Sequence, residues 1–316
     1  MLRKGTEFPR VNVNFVLNTG GMGDNIAALP AMKFIQDTYP WVVPYLYVPD
    51  YFLPLARNML PNMIIRSFSK MKKSFNSNWP GRQTRLKGHD SLSTHLVDYN
   101  FNCLANKQVG PEHKNYLKLD LNPIKIEKFD LPKDYVVITT GFTAKIREFL
   151  PEKVNAIVKY LNERNMPVVF LGSRQANTGV SGVDDIIGNF NNEIDYTKGI
   201  SLVDKTSLLE AGKIIAGSKC IIGLDNGLLH VAGCTDTPII SAYTSVAPHL
   251  RLPYRNNQLG WNCYPIVPPE TCIDRFFQSN IDFLFDVDLR FCYYGDYEMI
   301  KSLRVEDFIE ALEKVL

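Results

Sequence analysis

The residue types able to do chemistry gather in two glycine-rich turns. The first, Gly20-Gly21-Met22-Gly23-Asp24-Asn25, carries one acid, Asp24. The second, Gly223-Leu224-Asp225-Asn226-Gly227-Leu228-Leu229-His230, carries an acid, an amide and an imidazole. The glycines Gly20, Gly21 and Gly23 allow positive φ angles and let a substrate come close to the backbone. A carboxylate at the mouth of such a turn can accept a proton from a hydroxyl. Asp24 suits an N-cap equally well, since Asp favours the positive end of a helix. The stretch leaves both readings open. In the second turn the N–H groups of Asn226, Gly227, Leu228 and Leu229 point out of a helix start and make a cradle for phosphate. Asp225 would pin that turn. His230 lies one helical turn further on, either as part of the site or as a satisfied core imidazole. Thr139, Thr140 and Lys145 add two hydroxyls and a cation near the end of another strand, although Lys145 also suits a solvated surface.

Both turns read as strand, tight turn, helix. Residues 13–17 form a short apolar run before the first, and Ile26, Leu29, Met32 and Ile35 recur after it at near-helical spacing. Pro30 falls beyond the first turn if Asp24 is the cap, so the helix is either kinked or starts later. Strands at 42–48 and 63–65 flank a short helix at 51–59, an order that suits a parallel sheet with crossover helices. Residues 119–132 are rich in Asp, Lys and Pro and read as an interdomain linker. The second half repeats the alternation, with strands at 135–138, 168–173, 220–224 and 239–243 and helices at 151–165 and 207–216. A last amphipathic helix spans 304–316. Open α/β sheets hold ligands at the carboxyl ends of their strands, where both turns lie.

Between residues 66 and 89 there are seven Lys or Arg residues and no acid, with Phe68, Phe75 and Trp79 among them. Such a run is a solvated loop or a surface for an anionic acceptor, with Lys72, Lys73, Arg82 and Arg85 as its candidates. Its length inside a compact domain favours function. The chain as a whole has 316 residues, 45% hydrophobic and 22% charged, with a net charge of +2. That balance is ordinary for a soluble globular protein of two domains and by itself points to no polyanion. The six cysteines show no C-x-x-C pair and no metal-like spacing with the five histidines. Idle thiols, and the lack of a leader or of about 20 consecutive apolar residues, predict a cytoplasmic protein with no transmembrane segment. Peripheral contact with a membrane surface stays open.

Several of these stretches together resemble glycosyltransferase family 9, the ADP-heptose:lipopolysaccharide heptosyltransferases. Gly23-Asp24 with Pro30 and then Tyr39-Pro40 is similar to that family's N-terminal signature. Thr94-His95-Leu96-Val97-Asp98-Tyr99 is similar to its His-x-x-Asp step. Thr139-Thr140 with Lys145 and Pro151 resembles its hydroxyl pair, lysine and proline. The segment from Leu202 to Leu209 resembles the one before its donor strand. Asp225-Asn226-Gly227-Leu228-Leu229-His230-Val231-Ala232 is similar to its Asp-Ser/Thr-Gly-x-x-His-x-Ala motif, the most specific part of the likeness.

The resemblance implies an α/β protein of the GT-B fold, two Rossmann-like parallel-sheet domains facing a central cleft. Residues 1–130 would form the acceptor domain and 131–300 the nucleotide-sugar donor domain. A C-terminal helix at 301–316 would pack back on the first domain. It also implies inverting, metal-independent transfer of a sugar from a nucleotide-diphosphate donor, with no cofactor. Asp24 is then the general base. Lys145 and residues 226–228 hold the diphosphate, Asp225 and His230 shape the cradle, and Thr139 and Thr140 line it. Asn226 departs from the family's Ser or Thr. Thr244-Ser245-Val246-Ala247-Pro248 departs from its Gly-Pro-Thr turn, and Arg174-Gln175 stand where it has an acid. The tail 256–296 has no recognised counterpart. The sugar and nucleotide are therefore left open, and so is the anionic acceptor, a glycolipid core or nucleic acid carrying a modified base. A non-catalytic nucleotide-sugar-binding protein is the contrasting reading, and the presence of Asp24 argues against it.

Overall fold

The computed structural model describes residues 9–17, 21–70, 94–141, 147–174, 193–244, 246–268 and 298–316. Gly20, Lys72, Lys73, Arg82, Arg85 and Lys145 lie outside them, as do most of the basic stretch and of the 256–296 tail.

Two parallel sheets organise the chain. The first contains β1 (Val11–Val16), β2 (Val42–Val48) and β3 (Ile64–Ser67) in the order β1-β2-β3. Parallel neighbours need a crossover, and α1 (Met22–Thr38) and α2 (Leu53–Met59) supply it. The second sheet contains β4 (Val136–Thr139), β5 (Val168–Leu171), β6 (Ile200–Ser201), β7 (Ile221–Leu224) and β8 (Ile239–Ala242). After a small antiparallel hairpin, β9 (Tyr254–Arg255) and β10 (Gln258–Leu259), strand β11 (Cys263–Ile266) joins it beside β8. The order is β11-β8-β7-β4-β5-β6. Every residue of β4, β5, β7 and β8 is buried, as expected of strands covered on both faces. The chain runs outward from β4 in one direction through β5 and β6, and from β7 in the other. The crevice between the carboxyl ends of β4 and β7 is therefore a topological switch point.

The helices follow from periodicity and caps. The first-half piece α3 (Leu96–Asn100) is short. In α4 (Pro151–Glu163), Val154, Ile157, Val158 and Leu161 make one buried stripe, and Pro151 stands at the helix start where its missing N–H costs nothing. A capping box, Ser207 with Glu210, opens α5 (Leu208–Gly217). Then come α6 (Gly227–Gly233), α7 (Glu298–Lys301) and α8 (Val305–Glu313). The expectation that residues 301–316 pack back on the first domain is corrected here. Phe308, Ala311 and Leu312 of α8 join Val154 and Ile157 of α4 and Ile240 and Ile266 of the second sheet. Phe308 stacks on Phe149 with ring centres 5.1 Å apart. The apolar stripe of α8 thus closes the core that α4 lines, and little of it is left to reach elsewhere.

On the opposite face of the second sheet the core is shared. Ile26, Leu29 and Met32 of α1 and Leu55 of α2 belong to one buried cluster with Ala211, Ile214 and Ile215 of α5 and Val231 and Ala232 of α6. The segment expected as a linker, 119–132, and the residues just before it are stitched into this seam. The Tyr116 N–H donates to the Tyr254 carbonyl (2.8 Å) and the Leu119 N–H to that of Cys234 (3.1 Å). Asn58 brackets Asp120, donating to its carbonyl and accepting from its N–H. In β9, the buried Arg255 guanidinium donates to the carbonyls of Thr235, Thr237, Trp261 and Asn262 at 2.5 to 3.1 Å. No carboxylate is among those partners.

Candidate active site

Helix α1 begins earlier than a cap at Asp24 would allow. Gly21 is the N-cap, with φ −95° and ψ 136° and no side-chain bond, and Asp24 is the third helical residue. The N-cap reading of Asp24 is therefore corrected. A carboxylate in the first turn still benefits from the helix dipole. The helix then runs on through Pro30, so the later start is set aside as well. The carboxyl folds back over Gly21, where a Cβ would lie 2.7 Å from Asp24 Oδ2. Asp24 is half-buried. Burial pushes its carboxyl above the usual range and Asp225 adds to this, while Arg251, His230 and Arg147 oppose it. Next to it the buried Asn25 donates to the Tyr51 hydroxyl at 3.2 Å.

The second turn sits at the switch point. Asn226 is the N-cap of α6, and its Oδ1 accepts from the N–H groups of Leu228 (3.0 Å) and Leu229 (3.3 Å). Its Nδ2 donates across the crevice to Thr139 Oγ1 (3.3 Å) and the Gly141 carbonyl (3.4 Å). A Ser or Thr hydroxyl reaches the cap but cannot span both, which gives the amide a reason to be here. The expected phosphate cradle is correspondingly narrower. The Leu228 and Leu229 N–H groups are engaged by Asn226 Oδ1, so of the four expected cradle donors only those of Asn226 and Gly227 are not held by the cap. Thr139 and Thr140 are buried, and Thr140 shares its hydroxyl with that of Tyr196 at 3.2 Å. Gly223 is required where it stands, because a Cβ there would lie 2.4 Å from Thr139 Cγ2. Asn226→Ala should lower the unfolding free energy by about 1–2 kcal/mol, the usual worth of a cap, and Asn226→Ser should recover most of it. Equal losses in a denaturation series would show that the tie to β4 carries the effect.

The two turns meet. A Cβ on Gly23 would lie 2.4 Å from His230 Cδ2 and 2.6 Å from Nε2, and one on Gly227 would lie 2.4 Å from Met22 Cε. At Gly23 only glycine lets α1 come this close to the buried His230 ring, whereas at Gly227 the flexible end of Met22 fills the space a side chain would take. His230 is buried, with Nε2 3.6 Å from Asp225 Oδ1 and Nδ1 2.9 Å from the Tyr116 hydroxyl. Arg147 Nη1 stands 3.8 Å from the other Asp225 oxygen. Burial pushes the Asp225 carboxyl up, but Arg147, His230 and Arg251 together outweigh it and hold it well below the usual carboxylate range. The two carboxyls are thus pushed in opposite directions, that of Asp225 down and that of Asp24 up.

Sequence reasoning did not single out Tyr116, Arg147 or Arg251. Tyr116 lies 114 residues from the imidazole it meets, within a stretch without periodicity. Arg147 is two residues past Lys145, near enough for that strand end to have pointed to it. His95, part of the His-x-x-Asp step, is a fastener. Its Nδ1 accepts from the Val97 N–H (3.1 Å) and its Nε2–H donates to the Leu252 carbonyl (2.9 Å), with burial pushing its pKa down to about 4. Asp98 pairs with Lys114 at 2.6 Å. Among the described residues no three His, Cys, Asp or Glu side chains converge as metal ligands.

Comparison with known proteins adds an independent line. The model of glycosyltransferase family 9 (heptosyltransferase) matches residues 70–266. No curated protein matches in sequence. The iron-containing dodecameric glycosyltransferase TibC from enterotoxigenic E. coli H10407 is similar in structure, with a TM-score of 0.71 at 14% identity over 97% of this chain and 76% of that one. A family 9 glycosyl transferase from Veillonella parvula gives 0.62 at 14% identity over 98% of both chains. E. coli heptosyltransferase WaaC with ADP gives 0.56 at 14% identity over 96% of this chain and 97% of that one. These likenesses show the GT-B fold.

Proposed function

Because the chain belongs to glycosyltransferase family 9, the heptosyltransferase family, we propose that it moves a sugar from a nucleotide-diphosphate donor to an acceptor hydroxyl with inversion, without a metal or other cofactor, and with Asp24 as general base. The observation that carries this reading is the meeting of the two turns: the His230 ring lies against Gly23, next to Asp24, and Asp225 faces both His230 and Arg147. Asp24 takes the proton from the acceptor hydroxyl as its oxygen attacks the anomeric carbon. The bond to the diphosphate breaks on the other face of the sugar. Charge developing on the leaving group meets Lys145, Arg147 and the Asn226 and Gly227 N–H groups, with Thr139 and Thr140 lining the phosphate side. Fixed donors of this kind stabilise such charge without reorganising. WaaC with ADP and TibC with ADP-D-β-D-heptose support a nucleotide-sugar donor.

The acceptor in this proposal is anionic, a glycolipid core or nucleic acid, gripped by Lys72, Lys73, Arg82 and Arg85. No helix among the described residues is long and apolar enough to cross a membrane. The proposed setting is the cytoplasm, with peripheral contact at a membrane. The test is a panel of nucleotide diphosphates and nucleotide sugars in thermal shift, followed by transfer assays with the binder. A donor at about 100 times its Kd should stabilise the fold by roughly 2.7 kcal/mol.

Two further outcomes follow. Transfer should survive EDTA, and loss on chelation with rescue by Mg²⁺ or Mn²⁺ would overturn the metal-free account. Reversing charge at Lys72, Lys73, Arg82 and Arg85 should raise the acceptor KM and leave donor affinity alone. A steep fall of acceptor binding with salt would identify nucleic acid, through counterion release. A shallow one would identify a phosphorylated glycolipid.

A further inference from the structure

The side chain of Tyr116 has no place in the proposed chemistry, yet it holds one of its parts. It comes from the segment between the two sheets, is buried, and lies nearly parallel to the His230 ring, with centres 6.0 Å apart and planes at 23°. Its hydroxyl is 2.9 Å from His230 Nδ1. The direction of that bond follows from the other end of the ring. Asp225, an ionised carboxylate, can only accept, so the ring proton belongs on Nε2, the nitrogen that faces Asp225 at 3.6 Å. Nδ1 is then the acceptor and the phenol is the donor. Burial pushes the Tyr116 hydroxyl well above its usual range, so it stays protonated.

The ring so held is the surface on which the first turn of α1 rests. Its Cδ2–Nε2 edge leaves no room for even a methyl group on Gly23, one residue before Asp24. We propose that Tyr116 is a positioning residue: by donating to Nδ1 it fixes the rotation and tautomer of His230, and His230 in turn fixes where the Asp24 turn sits against the opposite half. A ring released from this bond can rotate, and any rotation moves the edge that abuts Gly23. The proposal rests on the catalytic reading of Asp24, but its structural step can be tested without any turnover.

Tyr116→Phe keeps the stacked ring and removes only the hydroxyl, so the fold should persist by circular dichroism. In nitrogen NMR of histidine-labelled protein, with the His230 signals identified by their loss in His230→Gln, the wild type should show an Nε2-protonated ring with a hydrogen-bonded Nδ1. Tyr116→Phe should shift the Nδ1 resonance and mix the tautomers. Wild-type protein carrying its proton on Nδ1, or an Nδ1 resonance indifferent to the substitution, would overturn the proposal. In transfer assays Tyr116→Phe should lower kcat on the order of tenfold to a hundredfold, the effect of misplacing a reacting group by a fraction of an ångström to an ångström. The donor KM should hold. An unchanged kcat, or a donor KM that rises as much as kcat falls, would also overturn it. If wild-type protein transfers no sugar, the catalytic reading fails on its own, and the spectra still decide whether Tyr116 sets the ring.

Discussion

Asp24→Asn is expected to cut sugar transfer by about 10² or more, the typical worth of a general base, with donor affinity intact. The same substitution should make the protein more stable at neutral pH. Burial raises the Asp24 carboxyl above its ordinary value, against the partial opposition of Arg251, His230 and Arg147. A carboxyl raised in the fold binds its proton more tightly there than in the unfolded chain. Stability therefore falls as pH rises from the unfolded value through the folded one, and above that the full cost remains. Asn carries no charge and escapes it. The thermal midpoint of Asp24→Asn should exceed that of the wild type at pH 7, and the difference should close in acid, where both side chains are neutral. The wild-type pH profile should lose activity on its acid side above the usual carboxylate range, as Asp24 takes up its proton. Undiminished turnover in the mutant would reduce Asp24 to a first-turn acid that serves only the helix dipole.

The largest stability effect is expected at Arg255. Its guanidinium donates to four carbonyls, those of Thr235 and Thr237 in buried bonds and those of Trp261 and Asn262 in half-buried ones, at the joint between β8, the hairpin and β11. It also stands over the Trp261 ring at 5.5 Å and touches Cys263 Sγ at 3.1 Å. Arg255→Met fills similar volume but takes the guanidinium from the Thr235, Thr237 and Trp261 carbonyls, while that of Asn262 keeps the Ile239 N–H. The cost is about 1–3 kcal/mol for each group left buried without a partner. Urea unfolding should show a loss of at least about 3 kcal/mol, since some of the carbonyls will find water. Arg255→Lys should rescue little, because a single ammonium cannot reproduce a planar fork of donors. A loss below about 1 kcal/mol, the net worth of one ordinary hydrogen bond, would show that the joint is not sealed from solvent.

The contrast between these residues shows what a chain of letters can reveal. Asp24, Asp225, Asn226 and His230 stand out in the sequence because they lie in or just after glycine-bearing turns, and the structure brings those two turns together. The strands of the first sheet and β4, β5, β7 and β8 of the second are legible as short apolar runs, and the buried stripe of α4 as a helical period. The two edge strands of the second sheet are not, β6 being two residues long and β11 interrupted by Pro265. The start of α1 lies earlier than the residues suggest, because a glycine N-cap has no side-chain signature and an Asp three residues on does. The seat of the last helix was misplaced for a different reason. Periodicity says that Phe308, Ala311 and Leu312 form a stripe, but not which surface covers it. Tyr116, Arg251 and Arg255 act on partners reached only after the chain has folded, or through carbonyls that every residue possesses. His95 was noticed, but its work of closing the end of α3 onto the Leu252 carbonyl could not be told from chemistry.

Neither half of this protein is a portable module. Many two-sheet enzymes can be thought of as two independent pieces joined by a tether, to be cut or recombined at will. Here the helices of the first sheet and α5 and α6 of the second contribute to one uninterrupted apolar core, and the would-be tether is hydrogen-bonded into it on both sides. Severing the chain near residue 131 would strip α5 and α6 of the apolar side chains that α1 and α2 contribute to this core, uncovering surface that drives association rather than solubility. The isolated donor half should therefore aggregate. A chimera that exchanges this half between relatives will fold only when the matching faces of α1 and α2 are exchanged with it.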